Sequence, residues 1–177
     1  MTDVAWGTSS SGSWTISGPT ISRTGSDDWG STYIDGDTGI SPHLFTPSFI
    51  STFNPGASNF GFIGFDQSGG VSDPSNMDYC ISYQATNVRY YNSGTWTLIP
   101  DSSGYNSNTE FTLELTTTAV NVYIDGVLKY TDTHTVTGTY TITSNIYTAG
   151  VELSAQRSIP PTPSSDDVLL PPPVAWI

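Results

Sequence analysis

The feature that most constrains this fold is the alternation of apolar and polar side chains within the segment from Phe111 to Thr131. The segment holds two alternating runs, and the second of them ends at Asp125-Gly126, after which the chain turns back. Alternation with a period of two is typical of half-buried β-strands, and Asp-Gly between such runs predicts a two-residue hairpin turn of type I′. The side chains predicted to face the core are Phe111, Leu113, Leu115, Val120, Val122 and Ile124.

Similar runs, separated by turn residues, fill most of the first 157 residues. Charged residues make up only 11% of the chain, so the residues that support long solvated helices are scarce. We therefore predict an all-β fold, an antiparallel two-sheet β-sandwich or jelly roll. Besides the hairpin, strands are predicted at 13–16, 20–23, 31–34, 59–65, 79–85, 88–91, 95–99, 139–143 and 146–153.

The composition changes at residue 158, after which the chain is rich in proline. Consecutive prolines favour polyproline II and exclude a central strand, so we predict a domain over 1–157 and an extended proline-rich C-terminal arm over 158–177. Because a solvated tail is normally polar, the apolar residues of the arm predict docking on protein subunits of a larger assembly. The predicted contact residues are Leu169, Leu170, Pro171, Pro172, Pro173, Trp176 and Ile177.

The charge of the chain disfavours two classes of partner. Its formal net charge is −12, with only four Lys and Arg residues, and such a surface repels phosphate backbones and anionic membranes. We expect no nucleic-acid binding and no membrane insertion.

The N-terminus lacks a basic region followed by an apolar stretch, so no cleavable signal peptide is predicted. The chain is rich in Ser, Thr, Gly and Tyr and poor in Lys. From this composition we expect a component of a virion or of another outward-facing surface assembly.

Two segments resemble a known superfamily. The hairpin from Phe111 to Thr131, with its Tyr-Ile-Asp-Gly sequence, resembles the concanavalin A-like lectin/glucanase superfamily, in particular its laminin G-like members. Phe60 to Phe65 occupies the position at which these domains often carry a buried aromatic strand. The resemblance implies a two-sheet jelly roll with a concave face. The superfamily includes sugar-binding lectins, glycan hydrolases, adhesion modules and virion components, so it does not select one function.

Catalysis of glycan cleavage is disfavoured by the carboxylates available. Superfamily glucanases carry Glu-x-Asp-x-Glu on one strand, and Glu110 and Glu114 have its outer spacing, but Thr112 replaces the central Asp. Alpha-carbons four residues apart on a regular strand lie roughly 13 Å apart, too far for paired carboxylates on one glycosidic bond. We therefore predict two solvated carboxylates and a protein that is not an enzyme.

Exposed aromatic side chains point to glycan binding instead. Sugar rings pack their C–H faces on Trp and Tyr, while amide and charged side chains hold the hydroxyl groups. The candidate glycan-binding residues are Asn121, Tyr123, Trp96, Trp29 and Arg89. The alternative is that the tryptophans serve to pack the core or the loops.

No cofactor is expected, and calcium is the one metal for which candidates exist. Asp35 and Asp37 offer oxygen ligands on a tight turn, but Gly39 breaks the Asp-x-Asp-x-Asp-Gly loop pattern and a bidentate Glu is missing. Asp as a turn former explains the same residues. The two histidines, His43 and His134, have no recognisable zinc spacing with the single cysteine.

Three functions remain open from the sequence. The first is a non-catalytic structural or interaction module tethered by its arm to a larger assembly, such as a minor capsid, decoration or fibre protein of a virion. The second is a carbohydrate-binding module, which is compatible with the first. The third is a glycoside hydrolase, which would need two carboxylates converging in a groove.

Overall fold

The computed structural model describes residues 1–7, 14–24, 33–42, 46, 48–54 and 60–158. Within these residues it is a sandwich of two antiparallel sheets. The strands are β1 Thr2–Asp3, β2 Trp14–Ser17, β3 Thr20–Arg23, β4 Ile34–Asp35, β5 Ser48–Phe53, β6 Gly61–Asp66, β7 Tyr79–Tyr83, β8 Val88–Asn92, β9 Thr95–Leu98, β10 Phe111–Leu115, β11 Ala119–Ile124, β12 Val127–Thr133, β13 Thr141–Ile146 and β14 Glu152–Arg157. The only helical element described is a 3-10 turn, Pro74–Asn76. The predicted all-β sandwich is confirmed.

Eight strands form one sheet, in the order β12-β11-β10-β5-β14-β3-β2, with β1 paired to β14. The other six form the second sheet, in the order β4-β13-β6-β7-β8-β9. Every strand pairing is antiparallel. In the described part of the chain no helix is long and apolar enough to cross a membrane.

The hairpin of β11 and β12 forms as predicted. Asp125 and Gly126 have φ angles of +48° and +77°, which is the pair of positive values that a type I′ turn requires. The six side chains predicted to face inward in β10 and β11 are all buried in the core between the sheets. A register shift between Val122 and Tyr123 marks an irregularity where β11 pairs with β12.

Two strand predictions need correction, and two observed strands, β1 and β5, were not predicted. β5 was not predicted, because Ile50 is apolar on the outer side and Ser51 is polar on the buried side, which hides the alternation. The strands predicted at 139–143 and 146–153 are instead β13 and β14, and the chain turns between them at Gly150, whose φ is +76°. Ser144 and Asn145 are polar yet fully buried inside β13, which made this stretch resemble a turn.

The outer side of the six-stranded sheet is partly covered by the segment 67–78. Val71 and Met77 from this segment pack on a second, smaller apolar cluster formed by Phe62, Cys80 and Tyr91. The Asn145 side-chain amide donates a hydrogen bond of 2.9 Å to the carbonyl of Ser72. The covered part of this face is therefore a miniature core, and the uncovered part lies beside it.

Candidate functional site

The outer face of the six-stranded sheet brings together side chains from distant parts of the chain. Because strand residues alternate between faces, Arg89 and Tyr91 point outward from β8 while Tyr90 points into the core. The antiparallel register places Tyr91 opposite Trp96, and Arg89 opposite Ser82 on its other side. Aromatic, amide and cationic side chains thus share one face.

A cleft of about 470 Å³ opens on this face. Tyr91 forms part of its floor and lies in the small apolar cluster beneath the covering segment. The aromatic rings of Phe60 and Tyr147 meet edge to face, with centroids 6.0 Å apart and an interplanar angle of 89°. The cleft is lined by Phe60, Asp73, Pro74, Gln84, Tyr91 and Tyr147. This mixture of aromatic rings and a few polar groups is characteristic of small-ligand sites.

Local hydrogen bonds fix the wall that carries Asp73. One oxygen of its carboxylate accepts hydrogen bonds from the backbone amide and the hydroxyl of Ser75, at 2.8 and 2.6 Å. Pro74 follows at the first helical position, where its missing N–H costs nothing, and its carbonyl accepts from the backbone of Met77. Asp73 is thus a capping residue that holds the turn against the sheet.

Arg89 and Trp96 form a second part of the face, next to the cleft. The guanidinium carbon of Arg89 lies 4.2 Å from the centroid of the Trp96 ring, which is cation–π contact. The Trp96 side chain is nevertheless 49% exposed. The Nε of Arg89 is buried without a hydrogen-bond acceptor, and leaving such a donor unpaired costs about 1–3 kcal/mol.

The predicted glycan-binding residues lie on two different faces. Trp96 and Arg89 are in contact on the six-stranded sheet, whereas Asn121 and Tyr123 lie on the outer side of the eight-stranded sheet. The five residues therefore do not form one surface. Trp29 lies outside the described residues. Sequence reasoning missed Gln84, Phe60 and Tyr147, because only strand register and a turn bring them to Tyr91.

Asn121 and Tyr123 are held by Glu114 in a ladder across β10 and β11. One carboxylate oxygen of Glu114 accepts hydrogen bonds of 2.9 Å from both the Asn121 amide and the Tyr123 hydroxyl. Partial burial raises the pKa of Tyr123, and the hydrogen bond to Glu114 raises it further. Glu110 is the second carboxylate considered for hydrolysis. It is exposed beside the hairpin turn, and no hydrogen bond among the described residues links its side chain to Glu114. Neither carboxylate lines the cleft.

Asp35 and Asp37 are engaged in structural contacts. One oxygen of Asp35 accepts from the Gly70 amide at 3.1 Å and the Thr143 hydroxyl at 2.6 Å. Asp37 accepts from the Ala5 amide at 3.0 Å and pairs with Arg157, 2.5 Å from Nε to Oδ2. Over the described ranges no three His, Cys, Asp or Glu side chains gather as metal ligands. His43 and the arm residues from Ile159 onward lie outside the described residues.

His134 belongs to a polar network at the edge of the sandwich where β12 of one sheet meets β8 of the other. Its Nε2 lies 3.0 Å from the Tyr79 hydroxyl, and its Nδ1 lies 3.4 Å from Asp132. Asp132 also accepts hydrogen bonds from the Tyr90 hydroxyl and the Asn92 amide, at 3.0 and 2.8 Å. Burial raises the pKa of Tyr90, and the neighbouring Asp132 adds to the shift. The network joins β8 to β12 and so closes this edge.

No protein-family model matches the sequence, and no curated protein matches it significantly. Solved structures do resemble its fold. A carbohydrate-binding module, CBM66 from Bacillus subtilis, aligns with a TM-score of 0.55 and 16% identity over 90% of this chain and 99% of its own. A human SPRY domain aligns with a TM-score of 0.58 and 12% identity, over 81% and 94% of the two chains. Alginate lyase AlgAT5 of polysaccharide lyase family 7 gives 0.52 and 16%, over 85% and 84%. Identities this low show the fold alone, a jelly-roll β-sandwich, which is consistent with the concanavalin A-like superfamily that the sequence resembles.

Proposed function

We propose that this chain, a jelly-roll domain of concanavalin A-like fold, is a carbohydrate-binding module that holds a glycan on the outer face of its six-stranded sheet. The observation that carries the proposal is the continuity of Trp96 and Arg89 with the aromatic cleft beside Tyr91. A sugar ring stacks its C–H groups on an exposed aromatic face, and Trp96 offers such a face.

The polar groups of the cleft suit the hydroxyl groups of a sugar. Gln84 lines the cleft and its side-chain amide donates to the Ser82 hydroxyl at 2.8 Å, so its side-chain oxygen can still accept a hydrogen bond from a ligand. Asp73 uses one carboxylate oxygen for its cap, so the other remains available to accept from a ligand. An aromatic floor with a few fixed polar groups gives orientation as well as affinity.

Similarity of fold supports a binding role, because a carbohydrate-binding module covers nearly the same length as this chain. Enzymes share the fold as well, among them an alginate lyase and a glycosidic hydrolase. We propose a non-catalytic module, since the carboxylates of Glu110 and Glu114 lie away from the cleft and Asp73 is the only carboxylate among its described lining residues.

The test is a glycan array followed by titration calorimetry with the glycans that bind. Trp96→Ala should weaken binding by ~1–3 kcal/mol, the range measured for bases stacked on aromatic side chains, which is about 5- to 150-fold in Kd. Tyr123→Ala, which removes an aromatic ring from the opposite outer face, is the matched control and should bind as the wild type does. Equal losses in both variants, or no glycan bound by the folded protein, would refute the proposal.

A structural role is a second proposal, and it rests on the sequence of the C-terminal arm. Six of the 12 prolines lie between Pro160 and Pro173, next to Leu169, Leu170 and Trp176. Polyproline docks with little loss of conformational entropy, so the arm would tether the sugar-binding domain to a subunit of a larger assembly such as a virion. The two roles are compatible, because they use different parts of the chain.

A further inference from the structure

Arg89 is the exception among the basic side chains of this acidic protein. Lys129 pairs with Asp101 at 2.9 Å, Arg157 pairs with Asp37, and Arg23 is buried and donates to the carbonyl of Ile146 at 3.1 Å. Arg89 has no carboxylate within 4.0 Å and no hydrogen-bond acceptor among the described residues, although the chain contains 16 Asp and Glu. Within the part of the chain that the structure describes, its charge is left uncompensated.

The surroundings of Arg89 fix it in place without satisfying its donors. The Trp96 ring supports one face of the guanidinium, and cation–π contact does not consume the in-plane N–H groups. Of the five N–H donors of an arginine, the one on Nε is buried here and unpaired. The terminal N–H groups of this supported guanidinium donate to no described residue, so they are placed to receive an anionic partner.

The position of Arg89 places its guanidinium next to the cleft. Arg89 and Tyr91 are alternate residues of β8 on the same face, so their alpha-carbons lie roughly 6.6 Å apart, and Tyr91 lines the cleft. On the neighbouring strand, Ser82 is the register partner of Arg89 and accepts the hydrogen bond from Gln84, another lining residue. One sugar ring spans this distance.

We propose that the glycan bound here is acidic, and that Arg89 binds the carboxylate of a uronic acid residue while Trp96 and Tyr91 contact the sugar rings. The inference rests on the proposed glycan-binding function and specifies its ligand. The planar guanidinium matches the two oxygens of a carboxylate, and its terminal N–H groups, which donate to no described residue, would form the pair of parallel hydrogen bonds.

The net charge of −12 opposes an anionic ligand only at long range. At about 0.15 M salt the Debye length is ~8 Å, so remote carboxylates are largely screened while a direct contact with Arg89 is not. Binding is therefore to be measured at this ionic strength and with short oligosaccharides, so that repulsion from the rest of the surface contributes little.

The experiment compares matched ligands that differ only in charge. Oligouronates from alginate, polygalacturonate and hyaluronan are titrated beside their carboxyl-reduced, neutral counterparts. The wild type should bind at least one acid at least about 10-fold more tightly than its reduced form, which corresponds to one charge-assisted interaction. Arg89→Met, which keeps an unbranched stem over Trp96, should abolish this preference, and Arg89→Lys should retain part of it.

Lys129→Met is the control for net charge, because it also removes one positive charge, from a residue paired to Asp101. It should keep the preference for the acid. Thermal melts establish that each variant is folded. If Arg89→Met does not fold, Arg89→Lys replaces it in the test, and it should show a smaller preference for the acid than the wild type.

Each remaining outcome contradicts the assignment in a distinct way. Neutral glycans bound as tightly as acidic ones would overturn the uronate ligand and leave the glycan-binding function standing. A preference that survives in Arg89→Met would overturn the role of Arg89. If sulfated galactans bind in preference to their desulfated forms and no uronate binds, the assignment of a carboxylate as the group bound by Arg89 is wrong. No glycan bound at all would refute both the ligand and the proposed function.

Discussion

The hydroxyl groups of Ser51 and Tyr83 form a hydrogen bond through the core, joining β5 of the eight-stranded sheet to β7 of the six-stranded sheet. Both residues are buried, and the Tyr83 ring stacks on Phe53 with centroids 4.7 Å apart. Ser51 also reaches the carbonyl of Phe111 at 3.3 Å. Burial raises the pKa of Tyr83 far above its ordinary value, so the hydroxyl stays protonated and can donate. This bond fixes how the two sheets meet.

Ser51→Ala should lower the free energy of unfolding by about 1–3 kcal/mol, because it leaves the buried Tyr83 hydroxyl without its partner. Tyr83→Phe should cost less, about 0.5–1.5 kcal/mol, because Ser51 keeps the carbonyl of Phe111. The double variant should lose less than the sum of the two single losses, since neither hydroxyl is then left unpaired. Urea unfolding measures all three, and strictly additive losses would contradict a direct bond.

A second prediction concerns Gly64, at the centre of the six-stranded sheet. A β-carbon there would lie 2.7 Å from the alpha-carbon of Cys80 and would overlap the carbonyl oxygen of Tyr79, which is backbone and cannot swing away. Gly64→Ala should therefore cost about 3 kcal/mol, at the upper end for overpacking. Gly104→Ala is the control, because its φ is +74° but its surroundings are open, and it should cost about 1 kcal/mol. Equal losses would show that the strand relaxes.

The fold was largely predictable from sequence because its signal is local. The alternation in β10 and β11 and the Asp125-Gly126 turn specify a hairpin without knowledge of the rest of the chain. β5 was not predicted because its Ser51 is polar yet buried. Ser51 is buried because it forms a hydrogen bond to Tyr83 on the other sheet, and Tyr83 is 32 residues away in the sequence.

The candidate site was only partly predictable, because the pairing of neighbouring strands, and not a sequence motif, brings its residues together. Arg89 and Trp96 were singled out by residue type, and only the pairing of β8 with β9 shows that they are neighbours. The same reasoning grouped Tyr123 with them, although the opposite sheet carries it. Gln84 had no sequence signal, since its role follows from its place beside Ser82.

A third prediction concerns Asp78 and pH. Burial raises the pKa of its carboxyl above the ordinary 3.8; the hydrogen bond from the backbone N–H of Gln67 offsets part of this, and the charge of Asp66 adds to it. The folded state then binds this proton more readily than the unfolded state, so the contribution of Asp78 to stability falls as pH rises through that window. Asp78→Asn should gain stability relative to wild type between about pH 3 and about pH 7, measured by denaturant titration. A constant difference across this range would contradict the shift.

A fourth prediction concerns the domain boundary. Ser158 follows β14, and its backbone and hydroxyl are hydrogen-bonded to Ser48 at 2.9 and 3.0 Å. A chain ending at Ser158 should melt within about 2 °C of the full chain, because the arm is predicted to dock on a partner. Removing Gln156 and Arg157 as well should lower the melting temperature by more than about 3 °C, since the ion pair with Asp37 is lost. A large drop on removing 159–177 alone would mean that the arm belongs to the domain.

The central claim is the place where the glycan binds, and amide chemical-shift mapping tests it most directly. A 15N-labelled sample of the full chain is titrated with a glycan identified on the array. The shifted amides should cluster at 60–62, 73, 84, 89–91 and 96, around the cleft and the Arg89–Trp96 pair. Shifts centred on Asn121 and Tyr123, on the outer face of the eight-stranded sheet, would contradict the account.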